Sequence, residues 1–139
     1  MSVYALIERV PTTEEHRALF EAVGWHPYTP QETAIALANS LHGVVAVVDG
    51  HTIGMGRVIG DGGKFFYIQD FAVRPEHQGQ GIGQAMLNRL LAFIQANAPG
   101  EPFVGLFATQ AAIPLYRKYG FEPRTEVLSG MWMILQRPD

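Results

Sequence analysis

Three alternating glycines, Gly79, Gly81 and Gly83, stand at the junction of a strand-like run and a helical one. The run Phe65 to Val73 feeds a hinge, Arg74-Pro75-Glu76-His77, then the loop Gln78-Gly79-Gln80-Gly81-Ile82-Gly83, then an apolar stretch with helical spacing. Glycine lets the backbone turn sharply and approach a ligand, and the first N–H groups of a helix have no acceptor within it. Such a junction is suited to holding an anion, above all a phosphate. The spacing G-x-G-x-G is not the dinucleotide pattern G-x-G-x-x-G, and no Lys-Ser or Lys-Thr follows the last glycine, so the two common nucleotide fingerprints both fail.

The form that remains, Gln78-x-x-Gly81-x-Gly83, resembles the Q/R-x-x-G-x-G/A pyrophosphate loop of the GNAT N-acetyltransferase superfamily. The resemblance extends in both directions. Asp70-Phe71-Ala72-Val73-Arg74-Pro75 is similar to the strand that precedes this loop in the family, and Leu115-Tyr116-Arg117-Lys118-Tyr119-Gly120-Phe121 is similar to its L-Y-x-K-x-G-F segment.

The order of elements agrees. Val3 to Val10 is short, apolar and bounded by Pro11, as a first strand is. Thr12-Thr13-Glu14-Glu15 opens a helix with a hydroxyl cap and an acidic first turn, and Thr29-Pro30-Gln31-Glu32 opens a second with proline at the favoured first position. The aromatic loop Trp25-His26-Pro27-Tyr28 lies between them. Val44 to Val48, the Asp49-Gly50 turn and His51 to Ile59 form a hairpin, and Asp61-Gly62-Gly63 returns the chain into Phe65 to Val73. A helix from about Gly81 to Asn97, a strand over Pro102 to Ala108, a helix over Gln110 to Tyr119, and strand-like pieces near Phe121 and from Gly130 to Leu135 complete the pattern. The expected fold is α/β (α+β): one domain over residues 1–139, with a mixed, mostly antiparallel sheet and helices on both faces. The resemblance adds that the cofactor strand and the strand after the long helix run parallel and splay apart.

At 139 residues, 47% apolar and 17% charged, the chain can bury a real core. It contains no cysteine, which excludes a disulfide, a thiolate metal site and a cysteine nucleophile. A net charge of −3 gives no electrostatic case for nucleic acid. No segment approaches the ~20 apolar residues of a spanning helix, so a soluble, cytoplasmic protein with no membrane association is expected. His16, His26, His42 and His51 have no ligand spacing, and no metal is expected.

The resemblance implies acetyl-CoA as co-substrate and a small primary amine as acceptor, joined by direct attack in a ternary complex. The backbone of Gln78, Gly79, Gln80, Gly81, Ile82 and Gly83, with Gln84 opening the helix, would hold the pyrophosphate. Main-chain groups of Phe71, Ala72 and Val73 would meet the pantetheine and the thioester carbonyl. Tyr116 matches the tyrosine that serves as general acid, and a phenol near ~10 can protonate a thiol anion near ~8.5 at small cost. Asp70 is the candidate base or amine anchor, with a water relay as the other route. Gln69 stands where some relatives carry glutamate, and Thr109-Gln110 where many carry asparagine. Trp25 and Tyr28 fall where the family builds its acceptor pocket, with Gln69 beside them, and Trp25 equally suits a place closing the core. The apolar Gly130-Met131-Trp132-Met133-Ile134-Leu135 is read as a buried strand or a homodimer interface. The other functional class open to the chain is a non-catalytic module that binds acyl-CoA as a regulator or sensor.

Overall fold

The structure is a computed structural model that describes residues 3–123 and 126–138. The chain forms two compact units, Met1–Phe107 and Ala108–Asp139. The first contains a five-stranded sheet in the order β1-β2-β3-β4-β5. Its strands are β1 (Ala5–Ile7), β2 (His42–Val48), β3 (His51–Gly60), β4 (Phe65–Val73) and β5 (Phe103–Leu106). The first four are antiparallel neighbours, and β5 runs parallel to β4. The sheet is therefore mixed and mostly antiparallel, as the sequence pattern indicates. β1 is shorter than expected, because only Ala5 to Ile7 meets β2 at this edge.

Local chemistry sets the turns. Asp49 and Gly50 have φ of 49° and 77°, the left-handed pair that a two-residue hairpin needs to match strand twist. In the next turn Asp61 Oδ1 accepts from the backbone N–H groups of Gly63, Lys64 and Phe65 at 2.8, 2.9 and 3.0 Å. Helices α1 (Thr13–Ala22) and α2 (Pro30–Ala38) each begin with a complete capping box. The Thr12 hydroxyl accepts from Glu15 N–H at 3.1 Å while Glu15 Oε1 accepts from Thr12 N–H at 2.8 Å, and Thr29 with Glu32 repeats this at 3.1 and 2.9 Å.

The sheet has a helix layer on each face. On one, Leu19 and Phe20 of α1 pack with Val45, Met55 and Ala72. On the other, α3 (Ile82–Asn97) approaches β3 so closely that a Cβ on Gly54 would lie 3.1 Å from Met86 Sδ, and one on Gly56 would lie 3.0 Å from Leu90 Cδ1. Met55 lies between these two glycines and points the other way, as strand alternation requires. Helices on both faces are thus confirmed.

In the second unit, Gln110–Ala112 is a single 3-10 turn and α4 covers only Ile113–Arg117, in place of one helix from Gln110 to Tyr119. Pro114 lacks an N–H, so it belongs in a first turn, which limits how early a regular helix can begin. Gly120, with φ of 93°, ends the segment. The expected strand Gly130 to Leu135 is absent, and 121–123 are not a strand; residues 124 and 125 lie outside the described residues. An isolated strand has no hydrogen-bonded partner to stabilise it, and among the described residues this unit contains no other strand.

Candidate active site

The active region grows out of an irregularity in β4. Gln69 lies opposite Arg57 and Ala72 opposite Met55, so Asp70 and Phe71 together face the single residue Gly56. This is a β-bulge, and Asp70 takes the left-handed conformation with φ of 55°. Bulges re-aim backbone and side chains, and a non-glycine residue at positive φ must be held there by its surroundings. The pairing of β4 with β5 ends at Ile68↔Leu106, so β4 continues through Gln69 to Val73 without β5 beside it. The parallel pairing that the resemblance implies is present, and it stops there because β5 itself ends at Leu106.

One buried donor and one partly buried donor hold Asp70. His16 Nε2 lies 2.9 Å from Asp70 Oδ2, and Arg57 Nε donates to the same oxygen at 2.7 Å. Arg57 also donates to the Ala36 carbonyl and the Ser40 hydroxyl, both at 3.2 Å. Burial by itself would push the Asp70 carboxyl up, but the hydrogen bonds from His16 and Arg57, with the guanidinium charge, outweigh it and hold the group below its ordinary value. Against an ionised carboxylate, His16 Nε2 carries the proton and donates. His16 is 5% exposed and stacks on Phe20 at 4.4 Å, and its Nδ1 is enclosed without a hydrogen-bond partner. The network ties α1, β3, β4 and the end of α2 to the bulge.

At the end of β4, the chain turns through Pro75–His77 into the glycine loop. Gly79 and Gly81 have φ of 79° and 82°, and a Cβ at either would meet nothing within 4 Å, so backbone conformation and not crowding requires glycine there. Gly81 is the N-cap of the 16-residue α3, and no side chain caps it. The sequence places Ile82 and Gly83 in the loop and Gln84 at the opening of the helix, whereas all three form the first turn of α3. Gln78 contributes differently from a simple loop donor. Its side-chain amide donates to the Val73 carbonyl at 2.9 Å and draws the loop back to the strand. Gln80 Oε1 is enclosed beside it with no partner. An uncapped helix start behind an open, glycine-bent backbone fits a pyrophosphate.

The other predicted residues are more dispersed. Gln69 is half-buried opposite Arg57. Trp25 packs on the α1 core with its ring edge-on to Phe20 at 5.1 Å, whereas Tyr28 is exposed. A groove of about 570 Å³ opens beside Glu14, Asp49, Thr52, Arg74, Glu76 and His77, and neither Asp70 nor the glycines line it. Among the described residues, no group of three or more His, Cys, Asp or Glu could hold a metal, and no helix is long and apolar enough to cross a membrane.

Tyr116 belongs to the second unit. It is buried, its ring meets Phe121 edge-on at 5.8 Å, and burial pushes its phenol up to about 12. That corrects the expectation of a phenol near its ordinary value. Complete proton transfer to an unperturbed thiol anion is then uphill by roughly 5 kcal/mol.

His16 and Arg57 were not singled out in the sequence. One stands 54 residues from Asp70 and the other 13, and only the packing of α1 on the sheet and the β3–β4 register bring them to it. Arg57 within the apolar run Met55 to Ile59 was the available signal, since a buried polar side chain needs partners, whereas His16, between Glu15 and Arg17, offered none.

Residues 39–123 match the family described as acetyltransferase (GNAT) domain. The soybean (Glycine max) histone acetyltransferase TAP1 is 32% identical over 127 residues, covering 84% of this chain and 54% of that protein. The Arabidopsis thaliana GCN5-related N-acetyltransferase 2, chloroplastic, is 31% identical over 136 residues, covering 84% and 52%. The chain therefore spans about half the length of the curated relatives it matches. Among solved structures, a Staphylococcus aureus protein of unknown function described as a probable acetyltransferase superposes with a TM-score of 0.89 at 34% identity, over 96% of this chain and 100% of that one. With that agreement added to the bulged strand and the glycine loop, the chain belongs to the GNAT acetyltransferase family.

Proposed function

We propose that this domain is an acetyl-CoA-dependent N-acetyltransferase that moves acetyl to the primary amine of a small molecule by direct attack in a ternary complex. The observation that carries the reading is the continuity of the bulged end of β4 with the glycine loop and the uncapped start of α3. It sets backbone donors for a thioester and a pyrophosphate on one connected stretch of chain.

Acetyl-CoA, when bound, supplies an acyl carbon activated as a thioester, so that the N–C bond forms as the C–S bond breaks. The backbone from Gln78 to Gly83 and the first turn of α3, with Gln84, bind the pyrophosphate. Main-chain groups of Phe71, Ala72 and Val73 orient the pantetheine and the carbonyl. Asp70, held ionised by His16 and Arg57, is poorly suited to remove a proton near neutral pH, and it serves as the anchor that draws an ammonium to the bulge. Water carries away the proton that the amine loses. Tyr116, protonated at all physiological pH, donates a hydrogen bond to the departing sulfur, and solvent completes the protonation. With no cysteine in the chain, direct attack requires no enzyme thioester. Gln69 and Tyr28 line the acceptor side, with Trp25 supporting them from the core. The chain works as a homodimer.

The test is a panel of polyamines, arylalkylamines, aminosugars, amino acids and a histone-tail peptide, incubated with acetyl-CoA and read by product mass. Acetylation of a small primary amine supports the proposal. Acetylation confined to the peptide, the substrate type in the soybean relative's name, would move the acceptor class to protein amines. Binding of acetyl-CoA without any product would favour a regulatory or sensor module.

A further inference from the structure

Four of the five arginines in the first unit face a carboxylate. Arg9 meets Glu15 at 2.9 Å, Arg57 meets Asp70 at 2.7 Å, Arg74 meets Glu76 at 3.7 Å and Arg89 meets Glu8 at 3.0 Å. Arg17 is the exception. Its side chain is half-buried and its Nε is enclosed, and among the described residues no hydrogen bond or ion pair reaches it, from Glu21 one turn along α1 or from any other group. A guanidinium carries a fixed charge, five donors and no acceptor, so enclosing part of one without a counterion is costly. A group kept at such a cost calls for an anion that arrives from outside.

The position of Arg17 says where that anion sits. Successive residues of a helix are turned by about 100°, so Glu15 and Arg17 leave α1 on opposite sides of His16. His16 reaches Asp70 on β4, and Glu15 accepts from the Thr52 hydroxyl on β3, the neighbouring strand. Arg17 therefore leaves α1 on the flank turned away from β3, directly after the residue that holds Asp70. Asp70 itself is held through Oδ2 alone, by His16 and Arg57 both, and neither donor occupies Oδ1. A carboxylate and a guanidinium are thus set side by side through the single residue His16.

We propose that Arg17 is a specificity-determining residue that binds a carboxylate of the acceptor, so that the acceptor is a free amino acid, its ammonium drawn to Asp70 and its carboxylate to Arg17. The proposal rests on the small-amine reading above and narrows it to one class. A planar guanidinium takes a carboxylate in paired, charge-assisted hydrogen bonds. Two anchors of opposite sign also fix direction, keeping the amine at the bulge and the carboxylate away from it. A diamine or polyamine brings a second cation to Arg17 in place of an anion, and that repulsion selects against it.

The test pairs free amino acids with their own carboxamides, which keep the amine and lose the negative charge, in wild type, Arg17→Gln and Arg17→Lys, with acetylated product read by mass. In wild type the acid is expected to exceed its amide in kcat/KM by about tenfold or more. In Arg17→Gln the KM for the acid rises by about tenfold or more, the values for the amide and for acetyl-CoA stay as they were, and Arg17→Lys recovers part of the loss. A second readout needs no turnover. Because the guanidinium has no partner in the first unit, Arg17→Gln should melt at or above the wild-type temperature, and in the presence of free coenzyme A the amino acid should raise the melting temperature of wild type but not of the variant. Equal use of acid and amide by wild type, or an equal fall for both in Arg17→Gln, would overturn the role of Arg17 while leaving the small-amine reading standing. An Arg17→Gln chain that melts well below wild type would give the guanidinium a structural partner and overturn the proposal as well. Binding of acetyl-CoA with no acetylation of any small amine would overturn the reading on which it rests.

Discussion

His16 Nε2 and Asp70 Oδ2 lie 2.9 Å apart, across 54 residues of sequence, and join the buried face of α1 to the one non-glycine residue that holds a left-handed conformation within β4. The contact links helix packing to the geometry of the acyl-binding strand. Replacing His16 by Ala removes a donor and opens a space beneath Phe20, with an expected stability loss of about 1–3 kcal/mol by denaturant titration. If the bulge matters to the reaction, kcat falls about tenfold or more while acetyl-CoA affinity is kept, and His16→Gln recovers part of the rate by restoring an N–H donor. A loss of stability with unchanged kcat would make the contact structural only.

Asp70→Asn leaves the Arg57 guanidinium enclosed beside a neutral amide. Breaking one side of such a buried pair costs about 3–5 kcal/mol when fully enclosed, and less here because both side chains keep some solvent contact, at 12% and 17% exposure. If Asp70 anchors the ammonium, the variant that remains folded shows mainly a raised amine KM. A flattened acidic limb of the kcat profile would instead identify it as the base.

Acid should unfold the first unit by a defined route. Hydrogen bonds from Arg9, from the Thr12 backbone and from the Thr52 hydroxyl hold Glu15 down to about 2 from an ordinary 4.5, and Asp70 is lowered as well. Because the folded values lie below the unfolded ones, the unfolded chain takes up more protons between them. Glu15 therefore contributes fully above pH 4.5, and its contribution is lost as pH falls toward 2, with Asp70 adding a loss of the same sign in acid. Urea titrations should show stability rising with pH across that window, with a smaller slope in Glu15→Gln. An equal slope in the variant would place the acid sensitivity elsewhere.

Much of the fold can be read in the sequence because its signals are local. Thr12 and Thr29 open capping boxes, Asp49-Gly50 closes a hairpin, and Gly81 starts α3, each by chemistry confined to a few residues. The glycine loop and the strand before it are legible for the same reason. The bulge is not, since it appears only in the register of β4 against β3, and the His16–Asp70–Arg57 network needs three elements in place. Gly130 to Leu135 fails in the opposite sense. Its composition specifies a strand, but a strand exists only with a partner, and composition does not supply one.

Tyr116 separates binding from chemistry. Tyr116→Phe keeps the ring and removes the hydroxyl, so acetyl-CoA affinity should stay near wild type while kcat falls by about 10²-fold. A variant with unchanged turnover would assign the proton to solvent alone and reduce the tyrosine to packing against Phe121.

The claim that the loop before α3 holds the acyl donor is tested most directly by measuring acetyl-CoA binding and amine-dependent thiol release side by side in wild type and Gly81→Asp. Gly81 sits at φ of 82° with open space beyond it, so aspartate, which tolerates that conformation better than most residues, places a carboxylate against the helix start with little disturbance of the fold. The account predicts that wild type binds and turns over, and that the variant melts near the wild-type temperature but has lost both binding and thiol release. Wild-type affinity and turnover in a folded Gly81→Asp chain would contradict it.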